Sequence, residues 1–167
     1  MRKDGFTLVE LMIVVTILGI LAAIVLPEFQ GHAAESRESA VKSSLHKVRG
    51  QIELYKTQHN DLNPGYIASN KTAWQTVVTQ LTGTTAVDGI PNASTTPTAT
   101  YPHGPYLMKM PVNPFNNLNT VTIVTDGTTD FSAVANDTSG WLYNKATGTF
   151  KINYSGTDSD GVAYVDY

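Results

Sequence analysis

The chain has 167 residues, enough for one membrane-length helix and one modest head but not for two full domains. Its 11 basic and 14 acidic residues leave a net charge of −3 with no basic run, which argues against an electrostatic nucleic-acid surface. With no cysteine, it has neither a disulfide framework nor a thiol nucleophile.

A short polar leader, Met1-Arg2-Lys3-Asp4-Gly5, precedes an apolar stretch from Phe6 to Leu26 whose only charge is Glu10. About 20 apolar helical residues cross the ~30 Å hydrocarbon core, so this stretch is long enough to span a membrane. A carboxylate near the centre of such a span costs ~2.5–3.5 kcal/mol, and less near its ends, so Glu10 asks for a partner. A secretory signal has an apolar run of about 7–15 residues followed by a small-residue cleavage site. Here the run is longer and Ala22-Ala23 lies inside it. A plain single-pass anchor fits the length but gives Glu10 no role. Arg2 and Lys3, opposed only by Asp4, favour a cytoplasmic N-terminus and an exported head.

The helix is expected to continue beyond the apolar stretch. Val41, Leu45, Val48, Ile52 and Tyr55 alternate in steps of four and three, an apolar stripe on one helical face. Arg37, Lys42, Lys47, Arg49 and Lys56 fall largely off that stripe, free to be solvated or to reach partners. Pro27 removes a backbone donor and predicts a kink, with Gly19 and Gly31 on either side as further weak points. The helix should stop near His59-Asn60-Asp61, ahead of the Asn63-Pro64-Gly65 turn signal.

A second, short helix is predicted over 71–82, where Trp74, Val77, Val78 and Leu81 follow helical spacing, Trp74 reads as core, and Gly83 is a natural stop. Residues 83–119 begin with a Thr-, Ala-, Pro- and Gly-rich stretch that reads as an extended loop. Residues 120–155 read as strands. Thr120 to Thr125 alternates and ends at Asp126-Gly127, while Trp141-Leu142-Tyr143 and Thr149 to Ile152 flank a Gly-containing hairpin loop. The fold class is therefore α+β, a long N-terminal hydrophobic helix with a small antiparallel sheet packed on its second half.

Catalytic constellations are missing from the sequence. His32, His46, His59 and His103 are scattered, and neither HExxH, a phosphate-cradling Gly-rich loop nor GxSxG occurs, so no enzyme is expected. One metal motif is plausible. Ser155 to Gly161 alternates oxygen-bearing side chains with glycine, which suits calcium and its need for about 6–8 oxygen ligands, although no EF-hand Glu follows. A solvated acidic turn is the competing reading.

Gly5-Phe6-Thr7-Leu8-Val9-Glu10-Leu11 resembles the class III signal of type IV pilins and type II secretion pseudopilins. The resemblance implies cleavage between Gly5 and Phe6 by a prepilin peptidase, N-methylation of Phe6, and retention of the helix in the mature protein. Cleavage leaves a cationic amine one helical turn before Glu10, on the same face. That amine can meet Glu10 of its own chain or of a neighbour; the resemblance implies the neighbour, making Glu10 a subunit-assembly residue.

In the head, Gly104-Pro105-Tyr106-Leu107, Pro111 and Asn113-Pro114-Phe115-Asn116 are similar to the major-pseudopilin loop G-P-Y-L, then P-x-D-P-aromatic-G. Asn113 stands for the usual Asp and Asn116 for the usual Gly. The family holds calcium in a C-terminal loop of the kind S-x-G-x-D-G, followed by Gly-Gly. Ser155, Asp158 and Asp160 are the corresponding candidate ligands, with shifted spacing, no Gly-Gly, and Asn153 where an acid might help.

The organisation implied is pilin-like: a leader over 1–5, a transmembrane and filament-core helix over 6–27 with Gly19 and Pro27 as its kink residues, and an exported head over 28–167 ending in the loop 156–167. The function implied is a structural subunit of a type II secretion pseudopilus in the bacterial inner membrane, assembled as a homo-oligomeric filament with an inner-membrane assembly platform and minor pseudopilins. The alternatives are a type IV pilus pilin, for which adhesion, twitching or DNA uptake would apply, and a membrane-anchored binding head.

Overall fold

The computed structural model describes residues 5–68, 76–124, 130–158 and 160–167, and not the side chains of residues 26–31. Predicted features at Trp74 and at Asp126-Gly127 fall outside the described residues, as do the side chain of Pro27 and the surroundings of Gly31. The chain packs as two units, Met1–Glu38 and Ser39–Tyr167.

The first unit is helical. Helix α1 (Leu8–Gln58) begins here, and its large apolar side chains from Leu8 to Val25 are 44–75 % exposed. The segment Leu8–Val25 is long and apolar enough to cross a membrane. Thr16 Oγ1 donates to the Met12 carbonyl at 2.7 Å, so the hydroxyl inside the apolar run is satisfied by its own helix.

The second unit is the head. The predicted stripe on α1 is buried at all five positions, Val41, Leu45, Val48, Ile52 and Tyr55, and shares one core with Trp141, Tyr143, Phe150 and Ile152. Arg49, expected off the stripe, is partly buried and structural. Its guanidinium donates to the Phe150 carbonyl at 3.0 and 2.9 Å and also to the Tyr167 carbonyl, fastening the sheet and the last residues to the helix. The helix ends where predicted. Asn60 and Asp61 take left-handed φ values of 54° and 62°, and the Asp61 N–H reaches the Lys56 carbonyl at 2.9 Å, the wide bond of a Schellman closure.

Helix α2 (Val77–Thr82) buries Val77, Gln80 and Leu81. Gly83 does end it, but in extended backbone (φ −111°). A Cβ there would lie 2.1 Å from the Asn92 carbonyl oxygen, so glycine serves close approach and not a left-handed turn. The predicted loop is more ordered than its composition implies. Strands β1 (Thr84–Thr85) and β2 (Pro91–Asn92) pair antiparallel, Thr85 bridges to His103, and the N–H groups of Tyr106 and Leu107 both reach the Leu81 carbonyl.

Three strands form the main sheet, β3 (Val121–Val124), β4 (Trp141–Asn144) and β5 (Thr149–Ile152), in the order β3-β4-β5. The predicted hairpin is present: β4 and β5 are antiparallel with Trp141 opposite Ile152 and Asn144 opposite Thr149. The expectation of a wholly antiparallel sheet needs one correction, since β3 joins β4 in parallel with Val121 opposite Trp141. Parallel neighbours need a crossover, and helix α3 (Phe131–Val134) lies in that connection. Central β4 is buried at all four positions, while β5 alternates with Phe150 and Ile152 inward.

His59 is fully buried where the end of α1 meets this hairpin-and-loop layer. Its ring stacks on Tyr55 at 3.9 Å, Nδ1 lies 2.8 Å from the Tyr55 carbonyl, and Nε2 lies 2.9 Å from Thr85 Oγ1. A carbonyl only accepts, so Nδ1 carries the proton and Nε2 accepts from the Thr85 hydroxyl, the neutral tautomer. Burial holds the imidazole below its ordinary value of 6.5, outweighing the opposing hydrogen bond to the Tyr55 backbone; the neighbouring His103 ring adds to the lowering, and the Ala86 backbone and Asp88 oppose it.

The unfolded chain therefore binds the proton more readily. The His59 contribution is complete above about pH 6.5 and declines as pH falls below it. Thermal melts of the intact protein in detergent should show a melting temperature that drops between about pH 7 and pH 5, with His59→Gln flattening the slope. An equal slope in the variant would assign the effect elsewhere.

Candidate functional site

The N-terminal end of α1 is built from four residues. Gly5 and Phe6 precede the helix, Phe6 is 80 % exposed, and among the described residues nothing beyond its chain neighbours lies within 4 Å of where a Gly5 Cβ would stand. Thr7 is the N-cap and Glu10 the third helical residue. Thr7 Oγ1 accepts from the Glu10 N–H at 3.2 Å, while Glu10 Oε2 accepts from the Thr7 N–H at 2.9 Å and the Thr7 hydroxyl at 2.7 Å. This is a reciprocal capping box, satisfying two of the donors that a helix start leaves open. Pairing Glu10 only with the Phe6 amine missed it, although the Thr-x-x-Glu spacing was there to be read.

The box gives Glu10 a partner within its own chain. Both bonds from Thr7 fall on Oε2, so Oε1 can accept from a further donor. Helix capping and pairing with a second group are thus compatible. Farther along, Gly19 lies within α1, with open space around the position of a Cβ.

At the other end of the chain, the three candidate calcium ligands do not form one oxygen cluster. Asp158 Oδ1 accepts from the Asp160 N–H at 2.9 Å and the Val162 N–H at 2.8 Å, and Oδ2 accepts from the Tyr167 hydroxyl at 2.6 Å. These contacts, the Tyr167 hydroxyl foremost, hold the Asp158 carboxyl below its ordinary range. Lys42 Nζ lies 4.6 Å over the same Tyr167 ring. Ser155 turns the other way, its N–H and Oγ both donating to the Asp137 carboxylate at 2.9 Å. Among the described residues no three His, Cys, Asp or Glu side chains are grouped to hold a metal ion. As placed, the Ser155 hydroxyl points to Asp137 and both Asp158 oxygens accept hydrogen bonds from this chain, an arrangement that does not fit a shared calcium shell.

The histidines offer no alternative centre. His59 and His103 lie 5.2 Å apart ring to ring, but both His59 nitrogens are already hydrogen-bonded. His32 lies 3.8 Å from the Glu35 carboxylate on the exposed surface of α1.

Comparison with known proteins agrees with the N-terminal geometry. The prokaryotic N-terminal methylation motif matches residues 1–26. The chain is 31 % identical over 117 residues to the type II secretion system core protein G of Klebsiella pneumoniae, covering 70 % of this chain and 71 % of that protein. It is 28 % identical over 116 residues to the core protein G of Aeromonas hydrophila, covering 70 % of each. The type IV major fimbrial protein FimA of Dichelobacter nodosus is 45 % identical over 71 residues, 41 % of this chain and 46 % of that protein. No solved structure matches. With a prepilin-type start and a likeness that covers more than two thirds of its relative, the chain belongs to the family of the type II secretion system core protein G, the pseudopilins.

Proposed function

We propose that the chain is a structural subunit of a type II secretion pseudopilus. It is held in the inner membrane with its N-terminus in the cytoplasm, cut between Gly5 and Phe6 by a prepilin peptidase and methylated at Phe6. It then assembles with copies of itself into a filament, with the help of an inner-membrane platform and minor pseudopilins. It works mechanically and not as an enzyme. The observation that carries this reading is the exposed apolar surface of Leu8–Val25, which ends in a capped carboxylate. Such a surface asks for lipid before assembly and for identical helices after it.

A surface pilus is the second reading, and the relatives themselves raise it. The likeness to core protein G extends over 70 % of the chain and that to FimA over 41 %, which favours secretion.

In the assembled state, the Phe6 amine of one subunit pairs with Glu10 of its neighbour, using the carboxylate oxygen that the capping box leaves open. The charge is the essential part, because a neutral carboxamide can still close a capping box.

Intact-mass analysis of the native protein should place the new N-terminus at a monomethylated Phe6, and Gly5→Leu should leave the leader attached. Recovery of assembled protein that retains Met1 would contradict the processing step.

The Glu10 assignment is tested by two variants. Glu10→Gln keeps the cap and Glu10→Leu removes it, and both lose the charge. Both should stay in the membrane while filament incorporation falls about tenfold, equivalent to ~1.4 kcal/mol in the assembly equilibrium. Wild-type filament yield from Glu10→Gln would show that capping alone is the role of this residue.

A further inference from the structure

The three asparagines that stand where the resemblance expects Asp, Gly or an acid are brought together by the fold. Asn113, Asn116 and Asn153 tie the loop before β3, the segment before β4 and the end of β5 into one neutral network. Asn113 Nδ2 donates to the Gly140 carbonyl at 3.0 Å, and its Oδ1 accepts from the Phe115 N–H at 2.9 Å. Asn153 is fully buried. Its Oδ1 accepts from the N–H groups of Asn136 and Asp137 at 2.8 and 3.3 Å, and its Nδ2 donates to Asn136 Oδ1 and Ser139 Oγ at 3.1 and 2.8 Å.

At the centre is Asn116. Its Nδ2 faces three main-chain carbonyls, those of Ser139 at 2.8 Å, Asn153 at 3.2 Å and Asp137 at 3.5 Å. Its Oδ1 is held by the Leu118 N–H at 3.1 Å.

Three carbonyl oxygens aimed at one point repel one another unless a donor or a cation lies between them. We propose that the Asn116 amide takes the place of a cation in this three-carbonyl cradle, so that the segments at Asp137, Ser139 and Asn153 are held together without calcium. The two amide hydrogens serve the two shorter contacts, and the positive end of the amide dipole faces the third. Nearby, Asp137 is a non-glycine residue at φ 59°, and Ser155 holds both of its carboxylate oxygens. The Ser155 hydroxyl is thereby oriented toward Asp137, and the Asp158 oxygens accept from Tyr167 and two amides. A cation entering here would have to evict Asn116 and undo this lock.

The test is a set of melts on the full chain in detergent. Wild-type protein should melt at the same temperature in millimolar calcium, in millimolar magnesium and in chelator. A saturable rise with calcium alone would overturn the proposal. Asn116→Asp turns a carboxylate toward the three carbonyls, and its melting temperature should fall by about 4–8 °C and be restored by calcium more than by magnesium. An Asn116→Asp melt identical to wild type would also overturn it. Wild-type protein alone provides a readout that does not depend on how the variant folds. The Asn116 side-chain NH2 resonances should exchange slowly with solvent and be unmoved by calcium. Exchange at the rate of a free carboxamide would contradict the cradle.

Discussion

Everything in this chain depends on the apolar surface of one helix having to find two different kinds of cover. Within the head, the stripe from Val41 to Tyr55 is covered by Trp141, Tyr143, Phe150 and Ile152. Burying such side chains contributes ~1.5–3 kcal/mol each, which is what a small sheet with one short hairpin needs to hold its form. Between Leu8 and Val25, the large apolar side chains of the helix are 44–75 % exposed. Such a surface calls for lipid or for other apolar helices.

The polar groups follow the same logic. In the apolar segment each has an answer inside the helix: Thr16 bonds back to Met12, and Thr7 and Glu10 cap each other. Capping lets a charged residue sit at the edge of the hydrocarbon without a wholly unpaired carboxylate, while one oxygen remains for a neighbour. In the head, several buried polar side chains are answered by amides and hydroxyls. Gln80 ties Gly65, Tyr66 and Gly89 together, and the asparagine network joins three loops. These contacts are neutral, so they hold the loops at little desolvation cost beyond what their hydrogen bonds return.

Much of this was legible in the residues because it rests on period and local chemistry. The alternation of Val41, Leu45, Val48, Ile52 and Tyr55 located the core face, and His59-Asn60-Asp61 located the helix end. The Trp141–Ile152 hairpin followed from two apolar runs around a Gly-containing loop. The parallel placement of β3 was not legible, since strand direction is set by a crossover and not by the strand's own pattern. Arg49 read as a charge free to be solvated or to reach partners, and its acceptors, the main-chain oxygens of Phe150 and Tyr167, carry no sequence signal. At the candidate sites, Glu10 was found by its charge and its cap was overlooked. Ser155 and Asp158 were found by composition, but their partners Asp137 and Tyr167 are fixed only by the tertiary fold.

The central claim is that the exposed helix and its capped carboxylate are completed by a second copy of the chain. The most direct measurement is solid-state NMR on filaments assembled from a mixture of subunits, one population labelled with nitrogen-15 at the Phe6 amine and the other with carbon-13 at the Glu10 carboxyl. The account predicts magnetisation transfer between the two labels and a Glu10 carbon shift of the ionised form. Transfer seen only when both labels are on the same chain, or a protonated Glu10, would contradict it.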